Sequence, residues 1–573
     1  MGIVDDLTAR ADQLSVDRLH WEKAWRQVAD VCLPMHQRIR EGTATNALDR
    51  LLKGPNATER GKMLYDSTAV WAVDRLAAGM ESLVTPAAEK WHGLEIDDPL
   101  APEMTQEESE WFETLRDFQF AARYDARSGF QTANQQAIRS VVSLGTAVIF
   151  TEEAFEAKGR SSAALPWLYR NIPVNECYLA VDKQGEVDTN FRRFWMTARQ
   201  MVQRWGDKVS SRVKAAAEDP KGKDEEFEIL HAVMPREERG SSRGGNRESA
   251  FASFYVELDT RQMVGESGYF EFPFAVYHWV QPEGSAYGES PVMLALADIH
   301  TLQAMAKSGL QAFQQWIKPP LAVANDGVMN RPNLNSGAIN YGAVDANGRQ
   351  KIQPIVTMQR PDFAEQVMET RRNAVRESLY ITLFQTLIQN PSMTATEAML
   401  RANEKGELLG PAGGKIQAAL ARVVERELGI IERKGAYEPG SQLMPPESLA
   451  GRSFGVKFTS PLDRVRRAQE GVGIQRTIEA AAPLAQVDPS IMDNFDSDEI
   501  VRAMREINGA PSKILRRPEE VEALRQQRAQ AQQQQQQMQQ LQQMAGAARD
   551  AAPAMSEALN VAGELGVELP GRA

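Results

Sequence analysis

The sequence predicts an α+β fold that is mostly helical. Three observations carry this: apolar stripes of helical period before residue 145, a strand-textured middle from Thr146 to Val280, and longer helical stripes from Pro291 onward. At 573 residues the chain is too long for one compact core, and several parts are expected. Hydrophobic residues at 42% and charged residues at 25% exclude wholesale disorder. The formal net charge of −12 argues against a protein that grips nucleic acid tightly. Cys32 and Cys177 lie far apart and give no disulfide framework, which fits a reducing compartment. The first residues show neither a basic nor an apolar signal region, and Asp6 stands where a myristoylation motif wants Ser or Thr. The least charged stretch, Pro291 to Trp316, is interrupted by Asp298, His300 and Lys307, so no membrane span is expected.

Leu7, Leu14, Trp21 and Val28 fall seven apart, with Ala11, Trp25 and Cys32 between them, Arg18 the exception and Pro34 the end. This predicts one helix whose stripe either packs on its own domain or forms a seam between subunits. Residues 37–60 read as a loop. Further helices are expected from Asp66 to Leu83, where Thr85-Pro86 breaks the run, and from Thr105 to Tyr124, whose first turns hold Glu107, Glu108 and Glu110. Another runs from Thr132 to Leu144, stopped by Gly145. In the middle, Ala147 to Phe150, Phe251 to Val256 and Phe274 to Val280 read as strands, Lys183 to Glu186 as a hairpin turn, and Ala198 to Trp205 as a helix. The segment 239–247, with Gly240, Gly244 and Gly245, reads as a mobile loop.

From Pro291 the stripe Leu296, Ile299, Gln303, Ala306, Leu310, Phe313, Ile317 predicts a long helix that Pro319-Pro320 ends. Pro361 opens a second, with the stripe Phe363, Val367, Thr370, Ala374, Glu377, Ile381, Phe384, Ile388, stopped by Asn390-Pro391. Between them 321–359 is rich in Asn and Gly with short strand-like pieces. Thr394 to Glu397 has capping-box spacing, and the helix it opens meets Gly410-Pro411 before resuming to Lys434. One long helix or two fit equally. Between Gln526 and Gln543, 13 of 18 residues are Gln, and Met538, Leu541 and Met544 give only a thin stripe, so this segment is either disordered or helical through contact with neighbours.

Catalytic motifs fail on chemistry. A phosphate-cradling loop needs a Gly five residues before Gly414-Lys415 and a hydroxyl after it, where Leu409 and Ile416 stand; Gly61-Lys62-Met63 fails likewise. Gly288-Glu289-Ser290-Pro291-Val292 lacks the closing Gly of a nucleophile elbow and reads as a structural turn. The six His residues (20, 36, 92, 231, 278, 300) show no zinc spacing, and His300 reads as a packing or polar-face residue. Carboxylate pairs such as Glu152-Glu153 and Glu237-Glu238 read as surface. The clusters Arg371-Arg372-Arg376, Arg464-Arg466-Arg467 and Arg516-Arg517 fit solvated faces or inter-helix ion pairs better than phosphate contacts. Neither cofactor nor metal is expected, and the chain does not read as an enzyme.

Several motifs in order carry a resemblance. Tyr65-Asp66-Ser67-Thr68-Ala69, Leu76-Ala77-Ala78-Gly79-Met80, Leu83-Val84-Thr85-Pro86 and Trp91 come first. Gly185-Glu186-Val187-Asp188 with Arg192, Met196-Thr197 and Trp205-Gly206 follow, then Tyr287-Gly288-Glu289-Ser290-Pro291 and Pro319-Pro320-Leu321. Met393-Thr394-Ala395-Thr396-Glu397 with Arg401, Glu404 and Leu409-Gly410-Pro411 is the most specific. Over roughly residues 10–510 the chain resembles the head-to-tail connecting (portal) proteins of short-tailed bacteriophages.

The resemblance implies a portal-type subunit with wing, stem, clip and crown, assembling into a dodecameric ring at one capsid vertex of the virion, built in the host cytoplasm. Double-stranded DNA would be packaged and ejected through the ring without sequence preference. Residues 1–290 would form the wing, 291–317 the first stem helix, 318–359 the clip and 360–389 the second stem helix. The channel loop would be 390–394, the wing helix and return 395–460, the crown 461–524, and the Gln-rich tail or barrel helix 525–573. Gln385, Gln389, Asn390, Ser392 and Met393 would face DNA as an uncharged constriction. Asp326, Arg331, Asn333 and Asn335 would lie in the clip that meets the motor and later the tail. The implied partners are further copies of the chain, the terminase large subunit, the major capsid protein, a scaffolding protein and tail adaptor or nozzle proteins, with no membrane. An acidic helical scaffold or adaptor that conducts no DNA is the alternative from a different class.

Overall fold

In the computed structural model the described residues are 2–33, 64–98, 104–154, 165–236, 248–317, 321–323, 343–344, 349–354, 361–384, 395–435, 443–485, 488–508 and 514–564, with short pieces at 100, 347, 437–438, 440–441 and 510. They form two units, residues 1–102 with 111–508 and residues 103–110 with 509–573. The α+β class holds, with helices predominating.

The expected opening helix is two, α1 (Ile3–Asp17) and α2 (Leu19–Cys32), separated at Arg18. Their stripe is buried within the chain, which decides for the intrachain reading. α1 lays Leu7, Ala11 and Leu14 on Tyr178, Phe191 and Phe254, whereas α2 sends Trp21, Trp25 and Val28 into the main core. Arg18, the break in the apolar pattern, is fully buried. Its Nη1 donates to the Cys177 carbonyl at 2.6 Å and its Nη2 to Glu22 Oε1 at 2.6 Å, and the guanidinium lies 3.8 Å from the Tyr178 ring centroid. A charge is tolerated there because its donors are satisfied and its flat face is stacked. Residues 37–60 lie outside the described residues.

α3 (Thr68–Val84), β1 (His92–Ile96), α4 (Gln106–Arg123) and α5 (Phe130–Leu144) follow, close to the expected helices. Gly145 ends α5 at φ 79, and its approach to the Gly288 carbonyl leaves no room for a Cβ. The middle holds β2 (Thr146–Glu153), β3 (Trp167–Ile172), β4 (Cys177–Val181), β5 (Val187–Thr197), α6 (Ala198–Trp205), α7 (Ser211–Glu218), β6 (Glu226–Pro235), β7 (Phe251–Glu257), β8 (Gln262–Tyr269) and β9 (Phe274–His278). They form two antiparallel sheets, ordered β3-β2-β9 and β4-β5-β6-β7-β8. Strand alternation splits the larger sheet cleanly. Leu230 and Ala232 of β6 face α1, while Phe227 and Ile229 face Ala198, Met201 and Val213 of α6 and α7. The expected hairpin turn is present, with Asp182 Oδ1 accepting from Gln184 and Glu186 N and Gly185 at φ 86. Residues 239–247 lie outside the described residues.

α8 (Pro291–Ile317) and α9 (Pro361–Ser378) flank the short pair β10 (Leu321–Val323) and β11 (Ile352–Pro354). α9 does not run to Gln389. Tyr380 takes φ 58, after which residues 381–384 make another helical turn. The turn lets Leu379 and Ile381 bury completely, sets the Tyr380 ring 6.3 Å from that of Trp279, and seats Phe384 on Gly79. These contacts outweigh the roughly 1–2 kcal/mol that a left-handed non-glycine residue costs.

α10 (Ala395–Arg433) is a single 39-residue helix with Pro411 inside it, which decides between the two alternatives; Thr394 lies outside the described residues. β12 (Phe454–Phe458) pairs with β1, and α11 (Pro461–Ala485) and α12 (Ser497–Asn508) close the first unit. In the second unit, Thr105 and Glu108 cap each other's backbone N–H at the start of α4, and Gln106 Nε2 donates to the Leu515 carbonyl. Its Gln-rich run is helical, within α13 (Pro518–Glu564), with Met538 and Leu541 exposed.

Candidate functional site

α8 and α9 start from Pro291 and Pro361, each in the first helical position, where a missing N–H costs nothing. Ser290 sets the entry to α8: its Oγ accepts from Met293 N at 3.1 Å and donates to the Ser143 carbonyl at 2.8 Å. This hydroxyl is a buried cap, as the structural-turn reading expects. The helices lie side by side, Arg371 Nη1 donating to Asp298 Oδ1 at 2.8 Å, with Gly309 opposite the Met368 methyl.

A three-way clasp joins this pair to α3. Gln303 Oε1 accepts from Tyr65 N at 2.9 Å and Asp66 N at 3.1 Å, and its Nε2 donates to the Asp66 carbonyl at 2.5 Å. Asp66 Oδ1 caps α3 through Thr68 N at 2.9 Å, and its Oδ2 accepts from Arg372 Nε at 2.8 Å. Burial pushes the Asp66 carboxyl up, but the bonds from Thr68 and Arg372 overcome it and hold the group below its ordinary value. The signal for the clasp was Gln303, a polar side chain in an apolar stripe.

The α8 stripe changes character halfway. Val292, Ala295, Ile299, Leu302 and Ala306 are buried, whereas Leu310, Phe313 and Ile317, on the same face by helical phase, are 50%, 52% and 58% exposed. The first half completes the core of its own chain. The second half presents apolar surface that lateral packing of helices would bury.

The basic clusters are taken up in ion pairs, some between elements and some within α9 itself. Arg371 meets Asp298, Arg372 meets Asp66 and Glu369, Arg376 meets Glu369, and Arg464 meets Glu89. Arg517 lies 3.9 Å from Glu110. Glu153 pairs with Arg433 and Glu152 with Arg204, while Glu237, Glu238 and Arg466 fall outside the description. Of the histidines, His300 is exposed on α8, and His92, His231 and His278 are buried apart from one another. Among the described residues no group of His, Cys, Asp and Glu could hold a metal. None of their helices is long and apolar enough to cross a membrane. Burial pushes both the Cys32 and Cys177 thiols up to about 12, which leaves them inert.

A second clasp was missed because its partners are 304 residues apart. Arg123 grips Glu427 with two bonds, Nε to Oε1 at 3.0 Å and Nη2 to Oε2 at 2.6 Å, both side chains fully buried, and the Tyr169 hydroxyl donates to the same carboxylate. Arg123 Nη1 also lies 2.8 Å from His92 Nε2, which must accept, so the ring is neutral with its proton on Nδ1. Burial works against the Arg123 charge, and the Glu427 carboxylate more than offsets it. This pair fixes the carboxyl-terminal part of α10 against α4 and β3.

Gln385, Gln389, Asn390, Ser392 and Met393, and equally Asp326, Arg331, Asn333 and Asn335, lie outside the described residues. The structure describes their approaches: Phe384 seated on Gly79 before the first group, and the β10–β11 pair on either side of the second.

Comparison with known proteins places these elements in a lineage. Residues 4–515 match the family model described as bacteriophage head to tail connecting protein. The chain is 27% identical over 530 residues to the probable portal protein of Bordetella phage BPP-1, covering 91% of this chain and 90% of that one. It is 27% identical over 526 residues to the portal protein of Salmonella phage epsilon15, covering 90% and 89%.

Proposed function

The chain belongs to the bacteriophage head to tail connecting protein family, and from that premise we propose that twelve copies close into a ring at one capsid vertex through which double-stranded DNA is packaged and ejected. It is a structural protein of the virion, joining capsid to tail, and not an enzyme. The observation that carries the reading is the family match from residue 4 to 515, which takes in all the described elements of the first unit. Within it α8 and α9 act as stem, 318–359 as clip, 390–394 as channel loop, residues 1–290 and 395–460 as wing, and 461–524 as crown. The Gln-rich tail from 525 acts as a barrel helix.

Physical chemistry supports the assignment. The apolar half-stripe of α8 suits burial against the next subunit around a ring. The arginines of α9 are already neutralised by carboxylates, and the chain carries −12 overall, so DNA slides past instead of being held. Gln385, Gln389, Asn390, Ser392 and Met393 form the uncharged constriction. Asp326, Arg331, Asn333 and Asn335 meet the terminase large subunit and then the tail adaptor or nozzle proteins. The major capsid protein and a scaffolding protein surround the ring during assembly.

Negative-stain imaging and native mass spectrometry of the purified chain test this reading. Rings with an axial hole are expected; a monomer or a filament overturns it. Replacing Gln389 with Lys should slow packaging and increase DNA retention, and an unchanged rate would remove that residue from the constriction.

A further inference from the structure

Resting on the ring reading above, we propose that neighbouring subunits lock together through an aromatic–cationic knob on α3, which docks in an acidic groove at the root of α8 in the next copy. The knob is Trp71 with Arg75. Both project from the outer face of α3, the indole 38% exposed, with the Arg75 guanidinium 5.3 Å from its ring centroid. Ahead of the helix in sequence, Tyr65 is 38% exposed and Lys307 Nζ lies 5.8 Å from its ring centroid. Neither Arg75 nor Lys307 has a carboxylate partner among the described residues. An exposed Trp backed by an unneutralised Arg combines the two side chains that contribute most at protein interfaces. In a chain of net charge −12, it is a cationic exception that an acidic surface would complement.

The groove, of about 830 Å³, supplies that surface. Leu14, Trp21 and Met293 give it apolar walls, and Leu294, 75% exposed, adds to them. Asp17, Glu283 and Glu289 also line it, each exposed and without an ion pair among the described residues. Arg10 is in the lining as well, but its guanidinium is engaged by Gln13. The groove is thus apolar inside and net negative, which matches an indole followed by a guanidinium. A ring of identical chains joined head to tail requires two different, mutually complementary patches on every copy. Knob and groove are such a pair, and among the described residues neither is taken up in ion pairs of its own chain.

The test uses the full chain, read by native mass spectrometry and negative-stain imaging, with circular dichroism and melting temperature as fold controls. Wild-type protein should form rings; if it does not, the conduit reading itself fails. Arg75→Glu and Trp71→Ala, both at exposed positions, should leave melting unchanged and raise the protein concentration needed for ring formation by about tenfold or more. The double variant Glu283→Lys/Glu289→Lys should do the same. Combined with Arg75→Glu, it should restore rings toward the wild-type threshold. Wild-type rings that tolerate Arg75→Glu unchanged overturn the docking while leaving the ring reading intact. Rings lost with Arg75→Glu but not recovered by the charge swap overturn the groove as acceptor. Rings that persist but no longer enter capsids, or no longer retain DNA, assign the knob to another partner and overturn the proposal.

Discussion

Arg372 of α9 donates its Nε to Asp66 Oδ2 at 2.8 Å, while Gln303 of α8 holds the backbone of the same aspartate on both sides. One small residue thereby ties three helices together at the top of α3.

Asp66→Asn or Arg372→Ala should lower stability by about 1–2 kcal/mol, the usual worth of a charge-assisted bond in a half-buried setting. The Asp66 carboxyl is held below its ordinary value, so its contribution is complete above the unfolded-state value of about 3.9 and disappears as pH falls through the folded one. Denaturant melts should show the full wild-type advantage over Asp66→Asn at pH 7, and that advantage should shrink progressively below about pH 3.9.

Breaking the buried Arg123–Glu427 pair from one side should be far more damaging. Glu427→Gln or Arg123→Met leaves an unneutralised or unsatisfied group at full burial, costing about 3–5 kcal/mol. Replacing both with apolar residues of similar volume should recover most of the loss in a double-mutant cycle by urea denaturation.

His92 and His231 predict a separate loss on mild acidification. Both rings sit well below the ordinary histidine value, through burial first and then through neighbouring guanidinium groups, Arg123 for His92 and Arg192 and Arg204 for His231. The unfolded chain binds these protons near pH 6.5 and the folded chain does not. Stability should therefore fall as pH drops below about 6.5, by up to about 1.4 kcal/mol per pH unit for each histidine. Melting temperatures between pH 8 and pH 5 should follow that slope, and His231→Gln should flatten it.

Gly79→Ala puts a methyl where the Phe384 ring lies. A loss of about 1–3 kcal/mol is expected from overpacking, largely relieved by adding Phe384→Leu. Persistence of the full loss in the double variant would mean that the ring is not what fills the space over Gly79.

Much of the architecture was legible because local rules and tertiary structure agree. The Gly145 stop, the Asp182–Glu186 turn and the α1–α2 stripe needed only periodicity and turn chemistry. Elsewhere, residues distant in sequence override the local pattern. The α9 stripe runs on through Glu377 and Ile381 with no Gly or Pro between, yet Tyr380 takes φ 58 and ends the helix, its own ring set near Trp279 and Phe384 seated on Gly79. Arg18 looked like a flaw in a stripe until the Cys177 carbonyl and Tyr178 ring stood against it. No spacing rule relates Arg123 to Glu427. The constriction and clip residues rested on resemblance alone, and the described residues reach only their flanks.

The unbroken run of α10 has a mechanical meaning. Thirty-nine residues at about 1.5 Å each make a strut of about 58 Å. Near its carboxyl end Glu427 is pinned by Arg123, while Arg426 and Arg433 are pinned by Glu271. Pro411 supplies no N–H to the carbonyl four residues earlier, so the hydrogen-bond ladder lacks one rung beside Gly410, Gly413 and Gly414. Because Leu409, Ala412 and Ile416 beside the gap are already buried in the core, the part of the helix that projects from its anchorage is the stretch from Ala395 to the gap, about 24 Å long.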